Sequence, residues 1–453
     1  MIDIKSWFDT IAKKNFLNQS IPDELYTRWN VKRGLRNQDG TGVVVGLTQI
    51  GEVHGYIMDE GEKKSSPGRL IYRGIDLFDL VNGFQADKRP GYEETAFLLL
   101  FGHLPSSQEL STFTEVIGAN RKLPPMFIED MVLKVHSPNI MNKLARSILA
   151  LYSYDSNPES NDLENVVLQS INMIAKFPLL VAYGYQAKAH YVDKKSLFIH
   201  EPDPTLSTAE NFLRLIRPDG KFNALEAEVL DLALVLHAEH GGGNNSSFTI
   251  HVVSSSDTDT YSAFAAGVGS LKGRKHGGAN IKVFEMIEDI KAHVSNWQDE
   301  NQLFDYLSKI INKEAYDKSG LIYGMGHAVY TESDPRAVLL KEKAKELASQ
   351  KNRMEEFVLL SNIEKLTPVV MEKVKGSSKI ICANVDLYSG FVYDMLNIPS
   401  ELFTPLFAMS RVAGWSAHRI EEIITNKKII RPAYKSICKR QGYLPIEQRV
   451  MPI

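Results

Sequence analysis

The chain has 453 residues, of which 43% are hydrophobic, and it carries 52 lysines and arginines against 55 aspartates and glutamates. This near-neutral balance excludes the strongly basic surface of a nucleic-acid-binding protein and gives no attraction to an anionic membrane, so we predict neither partner. Two cysteines, Cys382 and Cys438, are too few for a disulfide framework or a thiolate metal cluster.

The first residues and the hydropathy of the chain indicate a cytoplasmic protein. The start, MIDIKSWFDTIAKKNF, mixes acids, lysines and aromatic residues, unlike a signal peptide or a transit peptide. No stretch reaches the roughly 18 uncharged apolar residues that a membrane-spanning helix needs. With so few cysteines, a reducing compartment is expected.

Residues 42–75 predict a small β-hairpin region, and most of the remaining sequence predicts helices. The runs GVVVG and GRLIYRG place β-branched residues between Gly and Pro, around the turn-rich GEKKSSPG. Beyond them, apolar residues recur at helical spacing in YEETAFLLLFG, ENVVLQSINMIAKFPLLVAYGYQA and ENFLRLI. Residues 225–236 are apolar on nearly every face, which predicts a helix buried in the middle of a bundle. The polar segment 186–210 predicts an exposed loop.

Length and a shift in composition predict two domains in a mostly α fold. Residues 281–375 contain Lys- and Glu-rich amphipathic helices, which are typical of a smaller, more exposed domain. We therefore assign residues 1–275 and 387–453 to a large helical domain and residues 276–386 to a small one. Two crossings of the chain between these domains would form a hinge, with a cleft that closes over a ligand.

The segment HAEHGGGNNSS places His237 and His240 at the end of the predicted central helix, ahead of three glycines. The helix dipole favours histidine at a C-terminus, so a capping role explains the pattern without any ligand. Alternatively, the glycines let a ligand approach this backbone closely. A zinc site would need a third ligand at a sensible spacing, and none follows nearby, so we predict no metal.

The segment GRKHGGANIKVFEMI places His276 before two glycines and an amphipathic helix. The positive end of a helix dipole disfavours protonation, so this imidazole can stay neutral and donate a hydrogen bond to a developing oxyanion. The alternative is a histidine that only closes a tight loop.

In GMGHAVYTESDPRAVLL, His327 follows a glycine, and Asp334, Pro335 and Arg336 predict the start of a helix. Free helix N–H groups and a guanidinium converge there, so Arg336 could hold a carboxylate bidentately. The alternative is an exposed arginine behind a routine Asp-Pro cap.

The segment NVDLYSGFVYDML puts Asp386 at the start of a further amphipathic helix. As an N-cap, Asp386 needs no other purpose. As a general base, it would have to lie within hydrogen-bond reach of a carbon acid in the cleft, with its pKa tuned by burial and by neighbours.

Thr404 and Pro405 predict the start of a long helix in which Arg411 lies among apolar residues. A buried arginine usually needs a carboxylate partner, which either an internal acid or a bound substrate could supply. Arg431, in IIRPAY, is a weaker candidate because a single arginine before a proline is common.

Taken together, these motifs resemble the ordered series of the citrate synthase family. Each motif alone is a weak signal, whereas their order along one chain is specific. The motifs are HAEHGGGNNS, LKGRKHGGAN, GMGHAVYTESDPRA, NVDLYSGFVYDML, FTPLFAMSRVAGW and IIRP. The likeness continues into GRLIYRGIDLFDLV and YEETAFLLLFGHLPSSQEL in the amino-terminal third, so it covers most of the chain.

The resemblance implies an almost entirely helical enzyme of the tricarboxylic acid cycle. This acyltransferase would condense acetyl-CoA with oxaloacetate and hydrolyse citryl-CoA to citrate and CoA, without a metal or other cofactor. It further implies that His276 donates to the thioester oxygen, that His327 polarises the ketone of oxaloacetate and that Asp386 removes the methyl proton.

The same resemblance implies the substrate-binding residues and the assembly. It assigns oxaloacetate binding to His240 and the holding of carboxylates to Arg336, Arg411 and Arg431. Arg431 would reach the active site of the neighbouring subunit, so a homodimer is implied.

Two rival functions stay open at this point. A 2-methylcitrate synthase runs the same chemistry on propionyl-CoA, and one methylene is worth only about 1–3 kcal/mol of discrimination. A catalytically silent relative would bind CoA or a dicarboxylate without turnover. The presence of Asp386, His276 and His327 argues against the silent relative, and no single residue decides between the two acyl groups.

Overall fold

The computed structural model describes residues 3–8, 20–37, 39–59, 62–376, 380–425 and 428–449. The chain forms two compact units, Met1–Leu47 and Thr48–Ile453. The first unit contains the short helices α1 (Ile4–Trp7) and α2 (Asp23–Arg28) and the 3-10 turn Arg33–Leu35. An exposed ion pair joins Arg33 to Asp23 at 2.8 Å within this unit.

The second unit begins with a small antiparallel sheet, which confirms the predicted hairpin region. Its strands pair in the order β1 (Gly51–Asp59), β2 (Glu62–Tyr72) and β3 (Ile75–Asp76). The predicted strand at GVVVG was wrong, because residues 43–47 form no strand in the described structure. Val44 is 84% exposed there, and β-branched residues form strands only where a neighbouring strand and a packed face support them.

Helices form most of the rest of the second unit, which confirms the mostly α fold class. In chain order they are α3 (Leu77–Ala86), α4 (Tyr92–Phe101), α5 (Ser107–Ala119), α6 (Ile140–Leu151), α7 (Leu163–Tyr191), α8 (Thr208–Ile216), α9 (Ala224–His237), α10 (Asn245–Ser254), α11 (Thr260–Leu271), α12 (Ala279–His293), α13 (Glu300–Ile311), α14 (Pro335–Gln350), α15 (Met354–Lys375), α16 (Asp386–Met395) and α17 (Phe403–Thr425). Single turns of π or 3-10 helix lie at Ile128–Leu133, Tyr152–Tyr154, Ser400–Leu402 and Ile446–Gln448.

Helix α9 lies at the centre of this bundle, as its apolar sequence predicts. It packs against α4, α8, α14 and α17, and leucines on opposite faces, such as Leu230 and Leu232, are buried. Asn223 begins the helix with a capping box that it forms with Glu226. Because α9 ends at His237 inside the bundle, the residues that follow it also lie in an enclosed environment.

Helix α7 is long and apolar enough to cross a membrane by length and composition alone. In the structure, 72% of its most apolar window is buried inside the protein. The helix tolerates Pro178 in its interior, and it packs along α17, α8 and α6. It is therefore a core helix of the second unit.

Several predicted boundaries need correction, and the predicted domain division stays a prediction. The loop at 186–210 is shorter than predicted, because α7 continues to Tyr191 and Ser207 caps α8 through a capping box with Glu210. Helix α17 begins just before the predicted Thr404–Pro405 start. The predicted N-cap at Asp386 was wrong: Val385 is the N-cap, and Asp386 is the first residue of α16.

Candidate active site

His240 lies just beyond the end of α9, where Gly241 turns the chain with a φ of 81°. Its ring stands edge-on to those of His327 and Tyr330, with centroids 5.4 Å and 5.6 Å away. The Nε2 atom is buried and has no hydrogen-bond partner among the described residues. Burial, reinforced by the positive charge of Arg336, holds the pKa of His240 well below the usual histidine value. The ring is therefore neutral, with one nitrogen open to a ligand.

His327 is held in one tautomer by its own loop, between α13 and α14. Its Nδ1 atom accepts hydrogen bonds from the backbone N–H groups of Val329 at 3.0 Å and Tyr330 at 3.1 Å. An imidazole nitrogen that accepts cannot carry a proton, so the ring is neutral and its proton is on Nε2. His327 can therefore donate from Nε2 to a ligand oxygen.

Two glycines of the sheet let the strands lie directly against the His327 loop. A Cβ on Gly55 would lie 2.6 Å from the Cα of Tyr330 and still closer to the carbonyl oxygen of Val329. A Cβ on Gly68 would collide with the carbonyl oxygen of Ser333. The sheet thus fixes the position of the amide groups that orient His327.

Replacing Gly55 with alanine should therefore lower kcat/KM about tenfold or more, because the loop must move away from the strand and overpacking of this kind costs about 1–3 kcal/mol. Steady-state kinetics and a thermal melt would test this. The control is Gly83→Ala in α3, where a Cβ meets nothing within 4 Å and alanine should stabilise the helix slightly. Equal activity of the two variants would contradict the prediction.

Arg336 is buried at the start of α14, and its guanidinium forms an ion pair with Asp334. Asp334 caps the helix as predicted, by accepting from the backbone N–H of Arg336 at 3.0 Å. The same carboxylate accepts from Nε at 3.0 Å and from Nη2 at 2.7 Å. Asp334 thus occupies the edge of the guanidinium formed by Nε and Nη2. A substrate carboxylate would have to bind through Nη1 and the second N–H of Nη2.

Asp386 is the first residue of α16, and the charges of Arg336 and Asp334 both act on its carboxyl group. The backbone N–H of the preceding Val385 donates to Asp334 at 3.2 Å, which ties the start of α16 to that of α14. Burial raises the pKa of Asp386 from 3.8 to about 6, against the opposing positive charge of Arg336. A carboxylate with a raised pKa is a stronger base, so this residue suits proton abstraction better than helix capping.

The pH dependence of the reaction should show this raised pKa. Asp386 can accept a proton only when ionised, so kcat/KM should fall about tenfold per pH unit below about pH 6. Burial lowers the pKa of His276 to about 4, so His276 stays neutral over the same range and does not cause the fall. A profile measured at constant ionic strength, with its acid limb centred below pH 5, would contradict the prediction.

His276 lies in the loop between α11 and α12, and its Nε2 is 3.1 Å from the hydroxyl of Ser246. Ser246 is buried at the start of α10, and its oxygen also accepts from Nε1 of Trp415 at 3.1 Å. The single hydroxyl proton of Ser246 can go to Oδ1 of Asn244, at 3.0 Å, or to Nε2 of His276. When Ser246 donates to Nε2, the proton of the neutral ring is on Nδ1, which can then donate to a ligand. Ser246 was not predicted from the sequence, because nothing in NNSS indicates a contact with a residue 30 positions further along the chain.

Arg411 is fully buried on α17. Its Nε donates to the carbonyl oxygen of His237 at 2.6 Å, and its guanidinium lies 4.7 Å from the ring of Phe407. Both Nη1 and Nη2 are buried without a hydrogen-bond partner among the described residues. Burial lowers the pKa of Arg411 to about 10, which still leaves it charged at neutral pH. Two parallel N–H donors on a buried cation are the arrangement that a carboxylate ligand satisfies.

Comparison with known proteins agrees with this geometry. The family profile described as citrate synthase, C-terminal domain, matches residues 37–433. The citrate synthase of Haloferax volcanii is 32% identical over 431 residues, which cover 92% of this chain and 99% of the relative. The chain belongs to the citrate synthase family.

Two further proteins that are similar to this chain differ in the product they are named for. The Thermoplasma acidophilum citrate synthase, solved as a ternary complex with carboxymethyl coenzyme A and oxaloacetate, has a TM-score of 0.74 at 26% identity and covers 92% of this chain and 99% of its own. The 2-methylcitrate synthase 1 of Corynebacterium glutamicum is 31% identical, over 92% of this chain and 98% of its own length. The predicted family and enzyme class are confirmed: the chain is an acyltransferase of the type that condenses acetyl-CoA with oxaloacetate.

Six of the seven residues predicted for the citrate synthase site lie in one connected region, and Arg431 does not join them within a single chain. The shared neighbours are Tyr330, which contacts His240, His327 and Arg336, and Phe407, whose ring is near Arg411 and His276. Arg431 is exposed in the segment 428–449, which follows α17. The roles of all seven residues stay predictions at this point.

Proposed function

We propose that the neutral histidines, Asp386 and the buried arginines of this site carry out the condensation of acetyl-CoA with oxaloacetate. The observation that carries the proposal is Arg411, a fully buried cation whose Nη1 and Nη2 have no hydrogen-bond partner among the described residues. A buried charge without such partners is costly, and a carboxylate ligand would satisfy both nitrogens. Oxaloacetate, the dicarboxylate in the Thermoplasma complex, is a ligand of that kind.

Oxaloacetate would bind first, between the two buried arginines and two histidines. One carboxylate would accept from Nη1 and Nη2 of Arg411, and the other would accept from Nη1 and the second N–H of Nη2 on Arg336. The ketone oxygen would accept from Nε2 of His327, whose tautomer the loop fixes. The open nitrogen of His240 would complete the site. These contacts hold the ketone carbon in one orientation for attack.

Acetyl-CoA would then react in two steps. Asp386 takes a proton from the methyl carbon while His276 donates a hydrogen bond to the thioester oxygen, so that negative charge on that oxygen is stabilised as it forms. The resulting enol or enolate carbon attacks the ketone carbon of oxaloacetate, whose oxygen receives a proton from His327. Water then hydrolyses citryl-CoA and releases citrate and CoA.

The decisive experiment is oxaloacetate-dependent release of CoA, with kcat/KM compared for acetyl-CoA and propionyl-CoA and with each thioester alone as a blank. A preference for acetyl-CoA is the expected result. A preference for propionyl-CoA would assign the chain to 2-methylcitrate synthesis. The 2-methylcitrate synthase of Corynebacterium is 31% identical to this chain, and the citrate synthase of Haloferax is 32% identical. Absence of release with both thioesters would contradict an enzymatic role.

We also infer a homodimer in which Arg431 completes the site of the neighbouring subunit. The exposure of Arg431, on a C-terminal segment whose described residues form only one helical turn, supports an extended arm that contacts another copy. In such a dimer, the neighbouring subunit supplies Arg431 as the third carboxylate-binding arginine of each site.

Mixing two inactive variants tests this assembly. Asp386→Asn and Arg431→Ala should each abolish turnover in pure form. In a mixed dimer, the subunit with intact Asp386 receives intact Arg431 from its partner, so roughly half of the activity per mixed dimer should return. Failure of activity to return after confirmed subunit exchange would contradict the sharing of sites.

A further inference from the structure

Four side chains beside His240 form a continuous hydrogen-bonded array that the proposed mechanism does not use. Nε2 of His418 lies 3.0 Å from Oε1 of Glu239, and Nδ1 of His418 lies 3.0 Å from Nε2 of His251. Nδ1 of His251 lies 2.7 Å from Oε2 of Glu422. The side chains of Glu239 and His418 are fully buried, and those of Glu422 and His251 are 2% and 13% exposed. We call these four residues the Glu–His–His–Glu array.

The three hydrogen bonds of this array need three protons. Ionised carboxylates only accept hydrogen bonds, and each neutral imidazole brings a single N–H group. Two neutral imidazoles therefore supply two protons, and one of the three contacts would be left without a donor. The array is complete only when it holds a third proton, which makes one ring an imidazolium or one carboxylate an acid. That proton offsets one of the two carboxylate charges.

Glu239 joins this array to the substrate site. It lies between His237, whose carbonyl accepts from Arg411, and His240. Its Oε2 is buried without a hydrogen-bond partner among the described residues, as are Nη1 and Nη2 of Arg411. The two groups also act on each other electrostatically: Arg411 lowers the pKa of Glu239, and Glu239 raises that of Arg411. Glu239 is therefore an internal competitor for the guanidinium.

We propose that the Glu–His–His–Glu array is a positioning device for oxaloacetate, in which His418 shares the third proton with Glu239 and so leaves the guanidinium of Arg411 open to the substrate. The inference rests on the proposed function, because it takes Arg411 as the binder of an oxaloacetate carboxylate. Glu239, His418 and His251 touch no reacting atom. Their effect is on substrate affinity, through the charge and the position of Glu239.

The third proton sets how strongly Glu239 competes with the substrate. Without the ring of His418, Oε1 of Glu239 would lose its buried hydrogen-bond partner. The carboxylate would then attract Arg411 more strongly, and the Kd for oxaloacetate would rise.

The test is calorimetric titration of the full-length protein with oxaloacetate, without any thioester, alongside steady-state kinetics. His418→Leu should raise the Kd and the KM for oxaloacetate about tenfold or more and change kcat by less than about threefold. In the Glu239→Gln background the same replacement should have little further effect, because the competing charge is gone. Glu239→Gln alone should lower the Kd for oxaloacetate, because the competing carboxylate charge is removed. The control is His293→Leu, an exposed histidine at the end of α12, which should leave the Kd unchanged.

The outcomes separate this inference from the proposed function. Additive effects of the two replacements, or a Kd in Glu239→Gln that is not lower than in the unmodified protein, would overturn the role of the array. A stoichiometric divalent metal in the purified protein would also overturn it, because an ion held by His251, His418 and Glu421 would replace the third proton. If His418→Leu does not fold, the Kd of Glu239→Gln decides alone. An unmodified protein without oxaloacetate-dependent CoA release would contradict the proposed function instead.

Discussion

Replacing Asp386 with asparagine should lower condensation by two to four orders of magnitude, about 10²–10⁴-fold, while oxaloacetate still binds. Asparagine has nearly the same shape, and Val385 rather than Asp386 is the N-cap of α16, so the replacement does not remove the cap. The neighbouring ion pair of Asp334 and Arg336 does not depend on it. The loss should therefore fall on kcat, with the Kd for oxaloacetate changed by less than about threefold.

The matched control is Asp394→Asn, on the same helix. Asp394 forms an ion pair with Arg353 at 2.6 Å, and both side chains are partly exposed. An exposed pair of this kind contributes about 0–1 kcal/mol, so the control should keep nearly full turnover. Single-turnover release of CoA and calorimetric binding of oxaloacetate separate chemistry from affinity. Near-normal kcat in Asp386→Asn would exclude Asp386 as the base.

The sequence allowed us to locate the site but not to predict the hydrogen bonds within it. Local patterns placed the three histidines correctly at helix ends and loops, because His240 and His276 precede glycine runs and His327 follows a glycine. The hydrogen bond between Ser246 and His276 and the array from Glu239 to Glu422 join residues far apart in the chain. Such contacts depend on how helices pack, which periodicity along one segment does not encode.

The sequence also did not predict that Asp334 contacts Val385 and the guanidinium of Arg336, although Asp334 is only two residues from Arg336. The residue pattern offered Asp386 either as an N-cap or as a general base, whereas Val385 takes the N-cap position and its backbone N–H donates to Asp334. The pattern also left Arg336 free for a ligand, whereas Asp334 holds two of its nitrogens. In both cases one buried carboxylate, paired across two helix starts, decided the outcome.

Replacing Arg411 with methionine should abolish tight oxaloacetate binding and, at the same time, destabilise the free protein less than the loss of a fully hydrogen-bonded arginine does. Loss of two charge-assisted hydrogen bonds to a buried carboxylate costs about 2–5 kcal/mol, so the Kd should rise about 30-fold to several thousandfold. Without substrate, Nη1 and Nη2 have no hydrogen-bond partner among the described residues, and only the electrostatic attraction to Glu239 offsets the buried charge that methionine removes. Only the bond from Nε to His237 is lost.

Arg419, on the same helix, provides the control for this prediction. It is also fully buried, but Thr260, Ser254, Asn161 and the carbonyl of Thr258 accept from its nitrogens. Arg419→Met should therefore destabilise the protein by several kcal/mol, since each buried polar group left unsatisfied costs about 1–3 kcal/mol. Thermal melts with and without oxaloacetate would compare the two variants. An equal fall of the melting temperature in both variants would mean that Arg411 stabilises the fold as Arg419 does. The proposed role in substrate binding would then be contradicted, because a residue kept for a ligand should contribute little to the stability of the free protein.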